Sequence, residues 1–292
     1  ALCWLDTGRG YFSTLFLEIK THIGSPLAPP PRAGIIFFAR SNPTMADELL
    51  ECVASISYGK DSLAMLEVIH QNKLPLTRII HAEIWATKDI PADLPPMVDF
   101  KNKADKIILD RYGIEVERVS SDYTFEEIYH RIRKRGKYPG KMYGFPNNII
   151  GIGSWCVGEL KTAALRKASG NKCIQYIGYA YDEPKRHGRI VGNKKAPLVD
   201  YKIIEREAMA ICESLDLVSP IYTDLARGGC WFCNKQRLGS LRLLRKNYNY
   251  LWQLLLKWGS DFDDRCNIFR RDKTIFELEE RFAREDRQQM LF

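Results

Sequence analysis

Two short stretches hold residue types whose spacing suits chemistry. Ser57-Tyr58-Gly59-Lys60-Asp61-Ser62 gathers two hydroxyls, a glycine, an ammonium and a carboxylate within six residues. Where such a stretch joins a strand to a helix, the first helical N–H groups carry partial positive charge and suit a phosphate. Gly59 lets backbone approach closely. Ser57 and Ser62 can donate hydroxyls, and Lys60 adds a point charge. The stretch lacks the Gly-x-x-x-x-Gly-Lys-Ser/Thr spacing of a Walker A loop. The second stretch, Cys230-Trp231-Phe232-Cys233, spaces two thiols so that both reach one metal, and Gly228-Gly229 ahead of it permits a tight turn. The sequence has no second Cys-x-x-Cys, so it is not a four-cysteine zinc ribbon. Cys156 stands at an expected helix start, where the dipole lowers a thiol pKa, and is the candidate third ligand. Cys212 or Cys266 is the candidate fourth. A metal site, a redox pair and a structural turn all remain open on spacing alone. Cys52 and Cys173 lie in apolar runs and read as small core residues.

These residues need elements to position them. Cys52 to Ile56 reads as a buried strand, followed by the Ser57–Ser62 loop and a helix with Leu63, Leu66 and Ile69 at three-residue steps. Arg78 to Trp85 reads as a second strand. Met97, Phe100, Ala104 and Ile107 recur at helical spacing up to Gly113. Ile114 to Val119 alternates as a third strand. Thr124 to Arg135 is expected to be helical, with Thr124 and Glu127 as a capping box. Lys137 to Asn148 reads as a loop, Trp155 to Ala168 as a helix and Cys173 to Ala180 as a fourth strand. Asp182 to Lys195 reads as a basic loop, Pro197 to Tyr201 as a short fifth strand, and Pro220 to Tyr222 as extended. Helices are expected over 204–215, 236–247, 249–258 and 274–288.

Strands alternating with helices imply an α/β fold: a doubly wound, mainly parallel sheet covered on both faces. The domain expectation is 45–201 for the α/β domain and 202–292 for a helical, cysteine-bearing subdomain. Residues 1–44 match neither pattern. They contain Pro29-Pro30-Pro31, show little periodicity and lack the n-region and h-region of a signal peptide. Met45 is the expected natural start. The 292 residues carry 44 Lys and Arg against 36 Asp and Glu, a net +8; without residues 1–44 it is +6. A composition with 45% hydrophobic and 27% charged residues excludes a disordered chain. No apolar stretch reaches the length of a membrane span. Eight scattered cysteines suit a reduced, cytoplasmic protein rather than a disulfide scaffold.

The loop Ser57-Tyr-Gly-Lys-Asp-Ser62 resembles the Ser-Gly-Gly-Lys-Asp-Ser loop of the PP-loop ATP pyrophosphatase superfamily. Trp155-Cys-Val-Gly-Glu-Leu-Lys161, Tyr179-Ala-Tyr-Asp-Glu-Pro-Lys-Arg186, Leu217-Val-Ser-Pro-Ile-Tyr222 and Gly228-Gly-Cys-Trp-Phe-Cys233 resemble one branch of it, the phosphoadenosine phosphosulfate (PAPS) reductase-like family. The resemblance runs from about residue 50 to the C-terminus. It implies an adenine nucleotide alpha-hydrolase-like sheet that binds ATP or a PAPS-like adenine nucleotide, with Mg²⁺. Its expected ligands are Ser57, Tyr58, Gly59, Lys60, Asp61 and Ser62, together with Gly178, Asp182 and Arg186. Lys60 and Asp61 are the expected catalytic residues. Tyr58 departs from the usual glycine. The C-terminal Glu-Cys-Gly-Leu-His nucleophile of PAPS reductases is absent. The resemblance therefore implies ATP-dependent sulfur or group transfer with pyrophosphate release, to an unknown acceptor. Cys156, Cys230 and Cys233 are implied to hold a [4Fe-4S] cluster, with zinc as the alternative. Two other functions stay open: thiol-dependent PAPS or APS reduction to sulfite, and a non-catalytic nucleic-acid-binding module.

The nucleic-acid expectation rests on three basic groups. One is His130 to Lys137 beside Tyr138, Tyr143 and Phe145, aromatics that can stack bases. The others are Lys185, Arg186, Arg189, Lys194 and Lys195, and Arg237, Arg242, Arg245 and Lys246. On one face they would suit a nucleic-acid substrate.

Overall fold

The computed structural model describes residues 51–136, 139–146, 154–170, 172–222, 228–261, 268–270 and 273–289. The 1–44 segment, Met45, Cys266, Lys137 and Tyr138 lie outside the described residues. Five parallel strands form the sheet: β1 (Glu51–Ile56), β2 (Arg78–Glu83), β3 (Val116–Ser120), β4 (Cys173–Ile177) and β5 (Lys194–Lys195). Their spatial order is β3-β2-β1-β4-β5, with every neighbouring pair parallel. This is the expected α/β sheet. The chain winds outward from β1 to β3 and then returns to place β4 on the other side of β1. That reversal makes a switch point between β1 and β4, where open α/β sheets leave a crevice at the strands' carboxyl ends.

Helix α1 (Lys60–Gln71) starts directly after the Ser57–Gly59 turn. Leu63, Ala64, Met65, Leu66, Val68 and Ile69 are all buried, so the helix is sealed on most of its circumference. Helix α2 (Pro95–Tyr112) has proline in its first turn and ends on Gly113, whose φ of 69° supplies the left-handed turn. Helix α3 (Phe125–Tyr129) carries the expected Thr124–Glu127 capping box but stops six residues early. Its continuation leaves the helix because Ile132 bridges Met142 antiparallel. Trp155 and Cys156 lead into a π-helical turn, Val157–Thr162, and then α4 (Ala163–Ser169).

Three expectations need correcting. Pro197 to Tyr201 is not a strand: Pro197 opens helix α6 (Pro197–Asp200), following the four-residue α5 (Pro184–His187). Proline's fixed φ suits a first helical turn, and the Val199 and Asp200 N–H groups both donate to the Ala196 carbonyl. The fifth strand is instead Lys194–Lys195, inside the expected loop. Pro220–Tyr222 is a 3₁₀ turn rather than extended. The remaining elements are α7 (Glu205–Ser214), α8 (Leu238–Asn247), α9 (Asn249–Ser260), the unforeseen hairpin β6 (Ile268–Arg270) and β7 (Lys273–Thr274), and α10 (Ile275–Gln289).

The described residues hold two large buried clusters and a small third one, Val53, Ile80 and Cys173, under α4. The first joins β1, α1 and α2 to Ala208, Cys212 and Leu217, so α7 packs with the sheet although it follows residue 201. The second is aromatic: Phe125, Tyr129, Phe145, Trp231, Phe232, Trp252, Trp258, Phe269 and Phe282. Its polar tips are satisfied. The Tyr129 hydroxyl donates to the Trp258 carbonyl, and Trp258 Nε1 donates to Glu126 at 2.8 Å. This core also reaches Ala86 and Ala92 of the segment after β2.

Candidate functional site

The Ser57–Ser62 loop leaves the carboxyl end of β1 at the switch point. Ser62 braces it. Its hydroxyl donates to the Gly59 carbonyl at 2.9 Å and accepts the Ser57 N–H at 3.1 Å. The Lys60 N–H donates to the Tyr222 hydroxyl at 2.9 Å. Among the described residues, the N–H groups of Tyr58, Gly59 and Asp61 have no partner. They are the donors left for an anion at the start of α1.

Tyr58 holds a backbone conformation that favours glycine. Its φ is 54°, a left-handed conformation that costs a side chain roughly 1 kcal/mol or more. The ring turns inward, is fully buried and donates its hydroxyl to Asp105. Its side chain is therefore a core element, and of the expected Tyr58 ligand groups only the backbone N–H is left. Lys60, an expected nucleotide ligand, is held between carboxylates. Its ammonium lies 2.9 Å from Asp61 and 3.1 Å from Glu205. Partial burial opposes the Lys60 charge, but these carboxylates outweigh it and raise its pKa. Burial raises the Asp61 carboxyl above its usual range even though Lys60 opposes this.

Two cavities flank the loop. The first, about 650 Å³, lies over β1 and β4 and is lined by Ser57, Ser62, Gly178, Lys161, Arg166, Arg186, Arg189 and Lys194 among others. Of its five cations, only Arg186 has an ion-pair partner among the described residues, Glu183 at 3.1 Å. Such a surplus of unneutralised charge in a cleft favours a polyanion. Gly178 is required by packing: a Cβ there would stand 2.7 Å from Ser62 Cα and 2.8 Å from the Asp61 carbonyl. Asp182 does not line this cleft; its carboxylate caps α7 by accepting the Glu205 N–H at 3.0 Å.

The second cavity, about 360 Å³, lies over β1 and β2 and is lined by Ser57, Gly59, Asp61, His81, Asp93, Lys101, Lys161 and Cys230 among others. Ser57 and Lys161 belong to both cavities. Lys161 was not singled out from sequence, although it closes the Trp155–Lys161 motif. The signal that marks it is the π turn, a strained segment that often sits at functional sites.

Trp231 fixes the cysteine turn beside this cavity. Its backbone N–H donates to the Ala92 carbonyl and its indole N–H to the Pro91 carbonyl, both at 2.9 Å. The Cys233 N–H closes the turn on the Cys230 carbonyl at 3.0 Å. Burial, then the neighbouring Cys233 sulfur, pushes Cys156 up to about 11. This reverses the lowering expected from a helix start, because desolvation outweighs the dipole. Burial, with Asp93 and the other two sulfurs nearby, pushes Cys230 well above its usual value. The three thiols are thus neighbours, and their types suit iron–sulfur or zinc. As placed they do not close a metal site: among the described residues no three His, Cys, Asp or Glu side chains stand close enough to hold an ion. Cys212 is elsewhere, buried under α1 with its thiol donating to the Lys60 carbonyl at 3.3 Å.

The basic groups separate. Arg242 is paired with Glu285, and Arg245 with Glu279 and Asp286, so they fasten α8 to α10. Arg131 lies over Tyr123, and Arg133 over Tyr143 while donating to the Met142 and Tyr143 carbonyls. Arg186, Arg189 and Lys194 line the first cavity.

No protein-family model and no curated protein matches the chain. Among solved structures, the chain is similar to the U34-tRNA thiolase NcsA from Methanococcus maripaludis with its [4Fe-4S] cluster, at 18% identity and a TM-score of 0.34. The match covers 72% of this chain and 66% of that one. Among the described residues, no helix is long and apolar enough to cross a membrane.

Proposed function

We propose that the chain is an enzyme that binds MgATP in the cleft over β1 and β4 and transfers sulfur or another group to an acceptor in the adjoining cavity, releasing pyrophosphate. The observation that carries this reading is the Ser57–Ser62 loop standing between two cavities that share Ser57 and Lys161. One cavity is cationic and suits the nucleotide; the other is mixed in charge and suits a smaller acceptor. The free N–H groups of Tyr58, Gly59 and Asp61 hold phosphate oxygens at the start of α1. An acceptor oxygen attacks the α-phosphorus, the bond to the β-phosphate oxygen breaks, and pyrophosphate leaves; a sulfide or other nucleophile supplied as co-substrate then bonds to the acceptor carbon, the carbon–oxygen bond breaks, and AMP leaves with that oxygen. Lys161, at the boundary, faces the charge that develops on that phosphorus, while Arg186, Arg189 and Lys194 neutralise the departing group. Lys60 and Asp61 act as a pair that holds the loop to Glu205 on α7.

PAPS reduction has less support: Cys212, the cysteine packed under the loop, is buried and its thiol donates to the Lys60 carbonyl. The test is to purify the protein without oxygen and assay pyrophosphate release from ATP and sulfite release from PAPS. The reading predicts the first and not the second. Sulfite from PAPS with no ATP binding overturns it. Iron and zinc analysis of the same preparation shows whether Cys156, Cys230 and Cys233 close around a metal in the isolated protein.

A further inference from the structure

Behind the Ser57–Ser62 loop lies a set of buried ionisable groups that the transfer described above does not use. They gather around the ring of Tyr58, which is fully buried. Its hydroxyl donates to Asp105 Oδ1 on α2. Asp105 Oδ2 in turn accepts from Arg118 of β3, at 3.1 Å from Nε and 2.8 Å from Nη2. Arg118 also donates to Asn102 at 2.9 Å and lies 3.8 Å from Glu83. Glu83 lies 3.7 Å from the Lys101 ammonium, which stands over the Tyr58 ring, 5.5 Å from its centroid. Lys101 is itself fixed by Asp93 at 2.5 Å and by His81 Nε2 at 2.8 Å. The His81 ring meets the Tyr58 ring edge-on at 4.7 Å and is held through Nδ1, 3.1 Å from the Ile56 carbonyl. Groups from α2, β2 and β3 thus close a circuit around one side chain.

Ion pairs shielded from water contribute little stability by themselves. What this circuit does hold is a backbone conformation. A φ of 54° on a tyrosine persists only where the surroundings over-determine it. Glycine would adopt that φ without strain but would also be free to leave it. A tyrosine released from its anchor returns to negative φ. That rotation turns the Ser57–Tyr58 peptide and takes the Tyr58 N–H out of the set it forms with the free N–H groups of Gly59 and Asp61. Burial, then the Asp105 carboxylate, raises the Tyr58 phenol, so it stays protonated and keeps donating.

We propose that Tyr58 is a positioning residue: its side chain, anchored by Asp105 and Arg118, holds the loop's free N–H groups in their phosphate-binding arrangement before any ligand arrives. The proposal rests on the reading that this loop takes phosphates. A loop held in this way meets an anion with its donors already converged. The apparent affinity for the anion then follows the fraction of molecules whose loop is in that conformation. Losing the anchor lowers that fraction, and with it the affinity, without removing any group that touches the ligand.

Two measurements on the full chain test this: amide hydrogen exchange without ligand, and calorimetric titration of MgATP and of pyrophosphate. Tyr58→Phe keeps the ring and removes only the hydroxyl. In it the Ser57, Ser62 and Leu63 amides, which bond within the loop, should exchange faster than in the parent. Both ligands should bind at least about fivefold more weakly. Combining Tyr58→Phe with Asp105→Asn should add nothing further, because both act through one bond. The control is Tyr112→Phe, which removes the same kind of bond, a hydroxyl donating to Glu67 at 2.9 Å, farther along α1. It should bind both ligands within about twofold of the parent. A merely structural Tyr58 would make the two phenylalanine variants alike. Loop exchange or ligand affinity unchanged in Tyr58→Phe, equal losses in Tyr58→Phe and Tyr112→Phe, or additive losses in the double variant overturns the proposal. A parent that binds pyrophosphate but not MgATP overturns the nucleotide reading and leaves this test standing. A parent that binds neither overturns both.

Discussion

At the scale of single residues, the loop is shaped as much by what is packed behind it as by its own sequence. Gly178 faces the backbone of Asp61 and Ser62, so Gly178→Ala must displace the loop. Overpacking of this kind costs about 1–3 kcal/mol. Urea unfolding should show that loss, whereas Gly239→Ala, with open space around its Cβ in α8, should be neutral or stabilising by up to about 1 kcal/mol. His81 sets a pH dependence. Its pKa is lowered in the folded state, to about 3, from about 6.5 in the unfolded chain. Between these values the unfolded chain binds the extra proton. The His81 contribution is fully present above about pH 6.5 and is lost as pH falls toward 3, by roughly 1.4 kcal/mol per pH unit at most. Unfolding free energies at pH 7 and pH 5 should therefore differ less in His81→Asn than in the parent. An equal slope in both proteins would remove His81 from the account.

At the scale of elements, α3 depends on its cap: it has five residues and opens on the Thr124–Glu127 capping box. Thr124→Ala removes the hydroxyl that accepts the Glu127 N–H and should cost about 1 kcal/mol. An unchanged melting midpoint would contradict this. That box was legible in the sequence because capping is local: Thr124 and Glu127 are three residues apart. The four main strands and the long helices were legible too, since apolar periodicity records which face is buried. What the sequence concealed was decided by distant partners. The helix after Thr124 stops at Tyr129 because residues 131–133 pair with 140–143, with Ile132 opposite Met142. Lys194–Lys195 is a strand only because β4 offers Gln175 and Tyr176 as partners. Tyr58 read as a nucleotide ligand from its place in the loop, yet its ring belongs to the core. Lys161 was not singled out because it reads as one more polar residue of the helix expected over 155–168; only the fold brings it to both cavities. Ser57, Gly59, Ser62 and the cationic residue Arg186 could be named from sequence; the Asp93–Lys101–His81 chain, spread over three elements, could not.

At the scale of the whole molecule, the aromatic core matters because it carries the cysteine turn to the sheet. Trp231 joins that turn to Pro91 and Ala92, and stacks on Trp258 at 5.6 Å. The same contacts place Cys230 and Asp93 in one cavity wall. Helix α7 performs the matching task on the other side, where Glu205 holds Lys60 and Asp182 caps the helix start. In the proposed function an adenine nucleotide occupies the cleft between these supports with Lys161 on its phosphates. A charge-assisted contact of this kind is worth about 1.5–3 kcal/mol, or roughly ten- to a hundredfold in affinity. The most direct measurement is calorimetric titration of MgATP into the parent protein, Lys161→Ala and the control Lys257→Ala. The parent and the control should bind, and Lys161→Ala should bind at least tenfold more weakly; no binding to the parent, or equal affinity in all three, would overturn the proposed nucleotide site.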